Sequence, residues 1–356
     1  VSAFLLNRSS DLLVEILCVT MLQKEIFLKD KENCKTPFTH IEDNITNPKL
    51  KEIDEMYGAA DVMSIENAKN YQHYLKLLAL VGTLIAFFFL LYDEAELHLL
   101  IYICIALIFI LAYAKKVAED NKYHKKYVEY RVLAETLRVH YFLSIAGIEK
   151  YTSIILPWFI KKGSPWINEI LLSLDTNIGE KKSILNCWII NQKEYHQAAW
   201  IRSTNNKEKN DKVGRIALWI TLITYAIAAI FEFYMITSVS GEINIDILGL
   251  ILKTFQDWGI MVGYEQVDMI RAILKIVIGS MSAGTLFINS YYGKMSLSNE
   301  IESHRRMVML YENAEREIME HGESDELIIS LAHEFLIENS TWYNYQSKNK
   351  IDITLE

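Results

Sequence analysis

Four long apolar runs interrupt a sequence that is otherwise a mixture of polar and hydrophobic residues. The first two, LKLLALVGTLIAFFFLLY at residues 75–92 and LHLLIYICIALIFILAYA at residues 97–114, are separated only by DEAE. The third run covers residues 216–236 and the fourth covers residues 267–289. A helix of ~20 apolar residues crosses the ~30 Å hydrocarbon core of a bilayer. The pattern therefore predicts an all-α membrane protein whose four transmembrane helices form two hairpins.

The four runs divide the chain into five segments. Residues 1–74 are predicted to be an N-terminal cytoplasmic helical segment, and residues 75–114 the first transmembrane hairpin. Residues 115–215 are a cytoplasmic helical middle, residues 216–289 the second hairpin with its outer loop, and residues 290–356 the C-terminal cytoplasmic helices. We expect extensions of the spanning helices to build a cytoplasmic helical bundle.

Charged residues at the ends of the runs predict the orientation in the membrane. Basic residues follow the second run and precede the third: Lys115, Lys116, Lys122, Lys125, Lys126, Lys207, Lys209, Lys212 and Arg215. Acidic residues stand at the opposite ends: Asp93, Glu94, Glu96, Glu242, Asp246, Asp257, Glu265 and Asp268. Loops rich in Lys and Arg remain in the cytoplasm. The sequence therefore predicts that both termini and the central segment lie in the cytoplasm.

Residues 130–147, YRVLAETLRVHYFLSIAG, have the pattern of an amphipathic helix. Its apolar positions recur at three- and four-residue steps and are Tyr130, Leu133, Ala134, Leu137, Tyr141 and Ile145. A second face carries Arg131, Glu135 and Arg138, whose spacing lets each guanidinium reach the carboxylate. Gly147 suits the C-terminal cap.

We expect this helix to continue from the second transmembrane run and to pack its apolar stripe against another amphipathic helix at residues 299–318. The resulting bundle is predicted to serve oligomerisation or sensing rather than chemistry. The face assigned to that role consists of Arg131, Leu133, Glu135, Leu137 and Arg138.

Composition narrows the class of protein. The chain has 356 residues with only 4 prolines and 14 glycines, which favours long uninterrupted helices. Its net charge of −9 argues against duplex DNA as a partner, because proteins that bind phosphates usually have a basic surface. The cysteines, Cys18, Cys34, Cys104 and Cys187, are isolated, so we expect reduced thiols rather than disulfides or a zinc site. The chain begins in a helical pattern at Val1, without the pattern of a secretory signal.

The sequence shows no motif for catalysis or cofactor binding. Neither a phosphate-binding loop nor a dinucleotide fingerprint, an HExxH or a nucleophile elbow is present. His333 is followed by Glu334, but a second histidine at the metalloprotease spacing is missing. The sequence therefore predicts a protein that is not an enzyme and has no catalytic residues, cofactor or metal ligands.

Three ionisable residues lie within the third and fourth runs. Glu232 is near the outer end of the third run, and Arg271 and Lys275 are near the outer end of the fourth. A charge at the bilayer centre costs ~2.5–3.5 kcal/mol or more, so each must face protein, water or a counter-charge. Glu232 is a candidate for a ring lining a cation pore, with Arg271 or Lys275 as gate partners. The alternative is an ion pair within one subunit, or snorkelling toward the headgroups.

The fourth run also contains small residues at four-residue spacing. Gly279 with Ala283, and Ser280 with Gly284, are pairs that permit close approach of two membrane helices. They predict either a seam between subunits around a pore or a contact with the third transmembrane helix of the same subunit.

Two further segments are typical of the membrane surface. Residues 247–259, ILGLILKTFQDWG, are too short to span, and are either a re-entrant segment or an interfacial helix. Residues 156–166, LPWFIKKGSPW, with two prolines and two tryptophans, predict an elbow at the membrane surface.

Five segments of the chain resemble a known family. They are TPFTHIEDN, MYGAADVMSIENAKNYQ, YRVLAETLRVHYFLSIAG, CWIINQKEYH and LAHEFLIENSTWYNYQSKNK, between residues 36 and 350. They are similar to prokaryotic four-transmembrane proteins related to the SLATT group, the SMODS- and SLOG-associating transmembrane effectors. The resemblance implies a membrane-disrupting or pore-forming effector of antiphage defence. Related proteins often have a SLOG or TIR domain upstream, for which there is no room before Thr36.

The resemblance also implies partners. We expect membrane lipid and further copies of the chain, and a trigger that is a nucleotide second messenger, an oligonucleotide signal or an upstream sensor protein. The expected function is an oligomeric, pore-forming or membrane-depolarising effector of abortive infection that lies in the bacterial inner membrane. The alternative is a membrane-anchored sensor or scaffold that recruits a cytoplasmic partner and conducts no ions. A transporter is less favoured, since no proline breaks the four runs.

Overall fold

The computed structural model describes residues 2–43, 45–94, 97–148, 151–174, 181–240, 264–295 and 297–348. These residues are mostly helical and contain no strand. The helices in chain order are α1 (Ser2–Asn33), α2 (Pro48–Glu94), α3 (Leu100–Asp120), α4 (Tyr123–Ile145), α5 (Tyr151–Ile155), α6 (Trp158–Gly163), α7 (Pro165–Ser173), α8 (Asn191–Ser240), α9 (Tyr264–Met295), α10 (Leu297–His321) and α11 (Asp325–Lys348). A π-helical segment, Leu185–Ile190, leads into α8.

The chain divides into two compact units. The core unit consists of Val1–Gln72, Asn121–Ser203 and Ser298–Glu356. The membrane unit consists of His73–Asp120 and Thr204–Leu297, and it contains the four apolar runs.

Four helical stretches of the described chain are long and apolar enough to cross a membrane. They are Pro48–Glu94, Leu100–Ile145, Leu185–Phe231 and Ile270–Asn289. The prediction of an all-α membrane protein with four transmembrane helices is confirmed. The outer loop at residues 247–259 lies outside the described residues.

Helix α4 lies in the interior of the core unit. All of its predicted stripe is buried, and so are Val132, Val139, Phe142 and Leu143, which point in other directions around the helix. A helix that buries side chains on most of its sides is a core helix rather than a surface helix. The prediction that only one side of this helix is buried was therefore wrong.

The closest packing partner of α4 is α11. The side-chain amide of Asn339 on α11 donates to the backbone carbonyl of Val132, with an N···O distance of 3.3 Å. The helix that the sequence proposed for this place, at residues 299–318, belongs to α10 and joins the same core through Met307 and Tyr311. Helix α11 has the longer buried stripe, from Ile328 to Tyr343, and this explains its closer packing.

The predicted start of α4 was wrong, whereas its predicted C-terminal cap was right. Instead of continuing directly from α3, α4 begins after a turn at residues 121–122, where Lys122 has a φ of 53°. At the other end Gly147 has a φ of 78°. Its backbone N–H donates to Ser144, and that of Ile148 donates to Leu143, at 3.1 and 2.9 Å. This is a Schellman cap, as the position of the glycine predicted.

The segment at residues 156–166 is partly a core element. Trp166 at the start of α7 is 1% exposed, and its ring centroid lies 5.6 Å from that of Phe27 on α1. Trp158 at the start of α6 is 70% exposed. The predicted surface elbow was therefore wrong for Trp166, because α1 and α7 pack together and cover it.

Candidate functional site

In the membrane unit, the fourth transmembrane helix, α9, lies along the first, α2. The ammonium of Lys275 is 3.0 and 3.1 Å from the two carboxylate oxygens of Glu94. One turn further along α9, a Cβ added to Gly279 would lie 2.5 Å from Cδ1 of Leu90. That separation leaves no space for a side chain, so the backbone of α9 approaches α2 closely here.

The same approach continues along both helices. A Cβ added to Gly284 would lie 3.4 Å from Cγ2 of Thr83, and one added to Gly82 would lie 2.5 Å from Cζ of Phe287. Positions increase along α9 while they decrease along α2, so the two helices are antiparallel. We call this contact the α2–α9 seam; it consists of Gly82, Thr83, Leu90 and Glu94 on α2, and of Lys275, Gly279, Gly284 and Phe287 on α9.

The small residues of α9 contact a helix that the sequence analysis did not propose. Gly279 and Gly284 lie against the first transmembrane helix of the same chain, whereas the sequence suggested the third helix or another subunit. Ser280 and Ala283 of the same set are partly buried on α9. Glycine suits the seam because it lets the helix axes approach without a steric clash.

Lys275, one of the three ionisable candidates in the membrane runs, pairs with Glu94, which was not among those candidates. Arg271 lies one turn before Lys275 on α9 and is partly buried. Glu232 lies in α8, but its side chain is outside the part of the chain that the structure describes. Its role in a pore, or its pairing with Arg271, stays a prediction.

In the core unit, Arg131, Glu135 and Arg138 form a buried ion network on α4. The guanidinium of Arg131 is 3.0 Å from Oε1 of Glu135, and that of Arg138 is 2.7 Å from Oε2. The Glu135 side chain is 8% exposed and that of Arg138 is 12% exposed. Burial by itself would raise the pKa of Glu135, but Arg138 and Arg131 together lower it below its usual value.

Arg138 extends this network to two other helices. Its Nη2 donates to the hydroxyl of Tyr57 on α2 at 2.6 Å, and its Nη1 donates to Oε1 of Gln192 on α8 at 3.2 Å. Burial raises the pKa of Tyr57, so its hydroxyl remains protonated and can accept from the guanidinium. The face that the sequence assigned to assembly or sensing is thus directed inward, toward α2 and α8.

A pair of histidines lies beside the ion network. Nδ1 of His196 on α8 is 2.9 Å from Nδ1 of His304 on α10, so one nitrogen must donate and the other accept. Burial, and then the neighbouring His304, lower the pKa of His196 to about 3. The contact therefore joins α8 to α10 with His196 neutral.

Two more polar contacts join the beginning of α8 to α10 and the turn after it. Lys193 Nζ is 2.5 Å from Oε2 of Glu315. The carboxylate of Glu323 accepts from the backbone N–H groups of Ile184 and Leu185, each at 3.1 Å. Positions increase along α8 while they decrease along α10, so these helices are antiparallel. We call this contact the α8–α10 junction; it consists of Ile184, Leu185, Lys193, His196, His304, Glu315 and Glu323.

A second buried carboxylate lies at the start of α4. Glu129 is 8% exposed and accepts a hydrogen bond from the hydroxyl of Ser164 at 3.0 Å. The Ser164 hydroxyl is 2.9 Å from the hydroxyl of Tyr343 on α11. Burial raises the pKa of Glu129. These groups hold α4 and α11 against the turn between α6 and α7.

Sequence reasoning missed Glu129, His196 and His304. The histidine partners are 108 positions apart, and no spacing rule connects residues so distant. A weak signal is present at His304, which follows Glu300 by one helical turn and is 3.8 Å from it. A stronger signal for these buried groups is a titratable residue at a position of its helix where the periodicity predicts an apolar one.

The arrangement is suited to holding helices together. Both guanidinium groups of the ion network share the single carboxylate of Glu135, and removing that carboxylate leaves them without a counter-charge. Among the described residues, no three His, Cys, Asp or Glu side chains are grouped so that they could hold a metal ion. The network therefore links α2, α4, α8 and, through the histidine pair, α10.

Comparison with protein-family models, with curated proteins and with solved structures found no significant match for this chain.

Proposed function

We propose that the chain is an oligomeric pore-forming or membrane-depolarising effector of the bacterial inner membrane that acts in antiphage defence of the abortive-infection type. The four transmembrane helices supply the means of crossing the membrane, and the resemblance to the SLATT-related proteins supports the defence role. No catalytic step is assigned to the chain.

The observation that carries the proposal is the continuity of α8. This single helix, Asn191–Ser240, includes Gln192, which binds Arg138 of the ion network, and His196, which contacts α10. Further along, the same helix includes the third apolar run and Glu232. A change at the α8–α10 junction can therefore reach the third transmembrane helix without crossing a loop.

The proposed orientation follows from the charges that flank the runs. Both termini and the segment between the hairpins lie in the cytoplasm. A nucleotide, an oligonucleotide or a partner protein then acts on the cytoplasmic side, where it alters the packing of α8 against α10. Such a signal can shift the equilibrium only by its differential affinity for the two arrangements.

Ion flux into liposomes tests the proposal. Purified protein should pass cations in preference to anions, because several copies of Glu232 around a water-filled axis concentrate cations. Glu232→Gln should lower this preference at normal protein abundance, and Glu232→Lys should reverse it or block flux. Glu208→Gln is the matched control, since Glu208 is an exposed residue of the same helix outside the apolar run.

Two other outcomes would contradict the pore. If Glu232 is instead paired with Arg271, Glu232→Gln reduces the amount of folded protein, and Arg271→Gln in the same chain partly restores it. If the protein passes no ions under any stimulus and Glu232→Gln changes neither flux nor abundance, the non-conducting scaffold is the better description.

A further inference from the structure

Helices α5 and α6 expose two large apolar side chains next to two lysines. Ile154 is 66% exposed and Trp158 is 70% exposed. The ammonium of Lys161 donates to the backbone carbonyl of Ile154 at 3.1 Å, which places this lysine beside Ile154. Lys161 also follows Trp158 by three positions on α6, so the two share one face of the helix. Lys162 is exposed as well.

The neighbouring residues show that this exposure is selective. Leu156 and Ile160, which alternate with the exposed residues, are 3% and 0% exposed and belong to the core. The segment 151–168 contains two charged residues, Lys161 and Lys162, and no acidic one. The surface is therefore apolar and basic. We call it the α5–α6 patch; it consists of Ile154, Trp158, Lys161 and Lys162.

We propose that the α5–α6 patch docks on the bilayer surface, with Trp158 and Ile154 at the headgroup level and the two lysines on anionic lipid phosphates. Tryptophan is enriched at membrane–water interfaces because its ring is amphipathic. Lysines beside such a ring are attracted to the negative potential of anionic lipids. A bilayer is always next to this chain, since the protein has four transmembrane helices.

The chain passes directly from the core unit into the first apolar run. Gln72 is the last residue of the first core-unit segment, and the first apolar run begins at Leu75. A helix rises ~1.5 Å per residue, so this connection is shorter than one helical turn. The docking concerns lipid contact and does not depend on ion conduction, so the two can fail independently.

Tryptophan quenching in nanodiscs tests the docking. The full chain is placed in discs of phosphatidylcholine, with or without phosphatidylglycerol, that contain lipids brominated on their acyl chains. The difference in emission between the unaltered protein and Trp158→Phe isolates the Trp158 signal. We expect brominated lipids to quench this signal, more strongly with phosphatidylglycerol, and aqueous acrylamide to quench it weakly.

Controls separate lipid contact from other causes. The difference in emission between the unaltered protein and Trp219→Phe isolates the signal of Trp219, a residue of the third apolar run that is 63% exposed. Brominated lipid should quench this signal in both lipid compositions. Lys161→Gln with Lys162→Gln should remove the extra quenching by phosphatidylglycerol. A control double variant, Lys29→Gln with Lys51→Gln, makes the same charge change at exposed positions of the core unit. It should retain the extra quenching by phosphatidylglycerol.

Two results would overturn the docking. In the first, acrylamide quenches Trp158 and brominated lipid does not, which places the residue in water. In the second, neither quencher reaches Trp158 and its protection is lost in discs that hold one chain each. That outcome would assign the patch to contact with a second copy of the chain.

Discussion

Glu135 is a carboxylate held between two guanidinium groups in the interior of the core unit. Spacing along one helix already predicted that Arg131 and Arg138 reach it, because residues three and four apart are neighbours on a helix. Burial changes what these contacts contribute. A surface ion pair stabilises by ~0–1 kcal/mol, whereas breaking a buried one costs ~3–5 kcal/mol.

Replacing Glu135 by glutamine should therefore destabilise the core unit strongly. Because Arg138, which is 12% exposed, and Arg131, which is 31% exposed, lose their counter-charge, we expect a loss of about 3–5 kcal/mol, measured by chemical unfolding of the detergent-solubilised protein. Adding Arg138→Gln should restore part of the loss. Glu302→Gln is the control, since the Glu302–Arg305 pair is about half exposed and should cost about 0–1 kcal/mol. Equal effects of Glu135→Gln and Glu302→Gln would contradict a buried network.

The buried histidines make the folded protein less stable in acid. Burial lowers the pKa of His140 to about 4 and that of His196 to about 3, against about 6.5 in an unfolded chain. Between these values the unfolded state binds more protons, so stability falls as pH decreases below about 6.5, by up to about 1.4 kcal/mol per pH unit for each histidine.

Unfolding curves at a series of pH values measure this slope. His196→Gln should reduce the slope by up to about 1.4 kcal/mol per pH unit, the contribution of one histidine, whatever its effect on absolute stability. His321→Gln should leave the slope unchanged, because the His321 side chain is 67% exposed. If His196→Gln does not change the slope, His196 is not buried as described.

At the scale of elements, the α2–α9 seam depends on close approach at Gly82 and Gly279, where an added Cβ would lie 2.5 Å from a side-chain atom of the other helix. Gly82→Ala would place a methyl group 2.5–2.8 Å from three ring atoms of Phe287, and a ring is less able to yield than a flexible aliphatic end. We expect a loss of about 1–3 kcal/mol, the usual cost of overpacking, measured as a lower unfolding midpoint in detergent. Phe287→Leu should partly rescue Gly82→Ala.

Two glycines of α9 provide controls for this prediction. Gly293→Ala meets no atom within 4 Å, and Gly284→Ala meets Thr83 at an ordinary contact distance of 3.4 Å. Both changes should be close to neutral. If all three alanine variants were equally stable, the close approach at Gly82 would be wrong.

A disulfide across the seam tests whether it lies within one chain. Thr83→Cys and Gly284→Cys should cross-link on mild oxidation, because the two positions are in van der Waals contact and a disulfide needs Cβ atoms ~3.5–4.5 Å apart. On a denaturing gel the product should migrate as a monomer with altered mobility. A dimer band that needs both cysteines would place the seam between subunits instead.

At the scale of the whole molecule, thiol labelling tests the orientation in the membrane. Single cysteines at positions 94 and 241 should react with an impermeant thiol reagent from outside, in a background without the native cysteines. Those at positions 122, 205 and 347 should react only after the membrane is opened, because their segments carry the lysines and arginines that favour the cytoplasm. Labelling of position 205 from outside would contradict the charge argument.

The number and type of the spanning elements were predictable for a physical reason. Insertion into lipid sums the transfer free energies of ~20 consecutive residues, so the information is contiguous in the chain. The cap at Gly147 was predictable for a similar reason, since its hydrogen bonds join residues 143–148. The contacts of α4 were less predictable, because α10 and α11 both offer an apolar stripe and only packing distinguishes them.

The sequence by itself determined that this protein is all-α, that four helices can cross a membrane, and that Arg131, Glu135 and Arg138 share one helix face. Each of these depends on neighbours in the chain. Only the tertiary structure decided that Lys275 pairs with Glu94, 181 positions away, that the glycines of α9 lie against α2, and that His196 meets His304. These contacts depend on steric fit and burial between distant segments, and hydrophobic periodicity does not encode which of several apolar surfaces fits another.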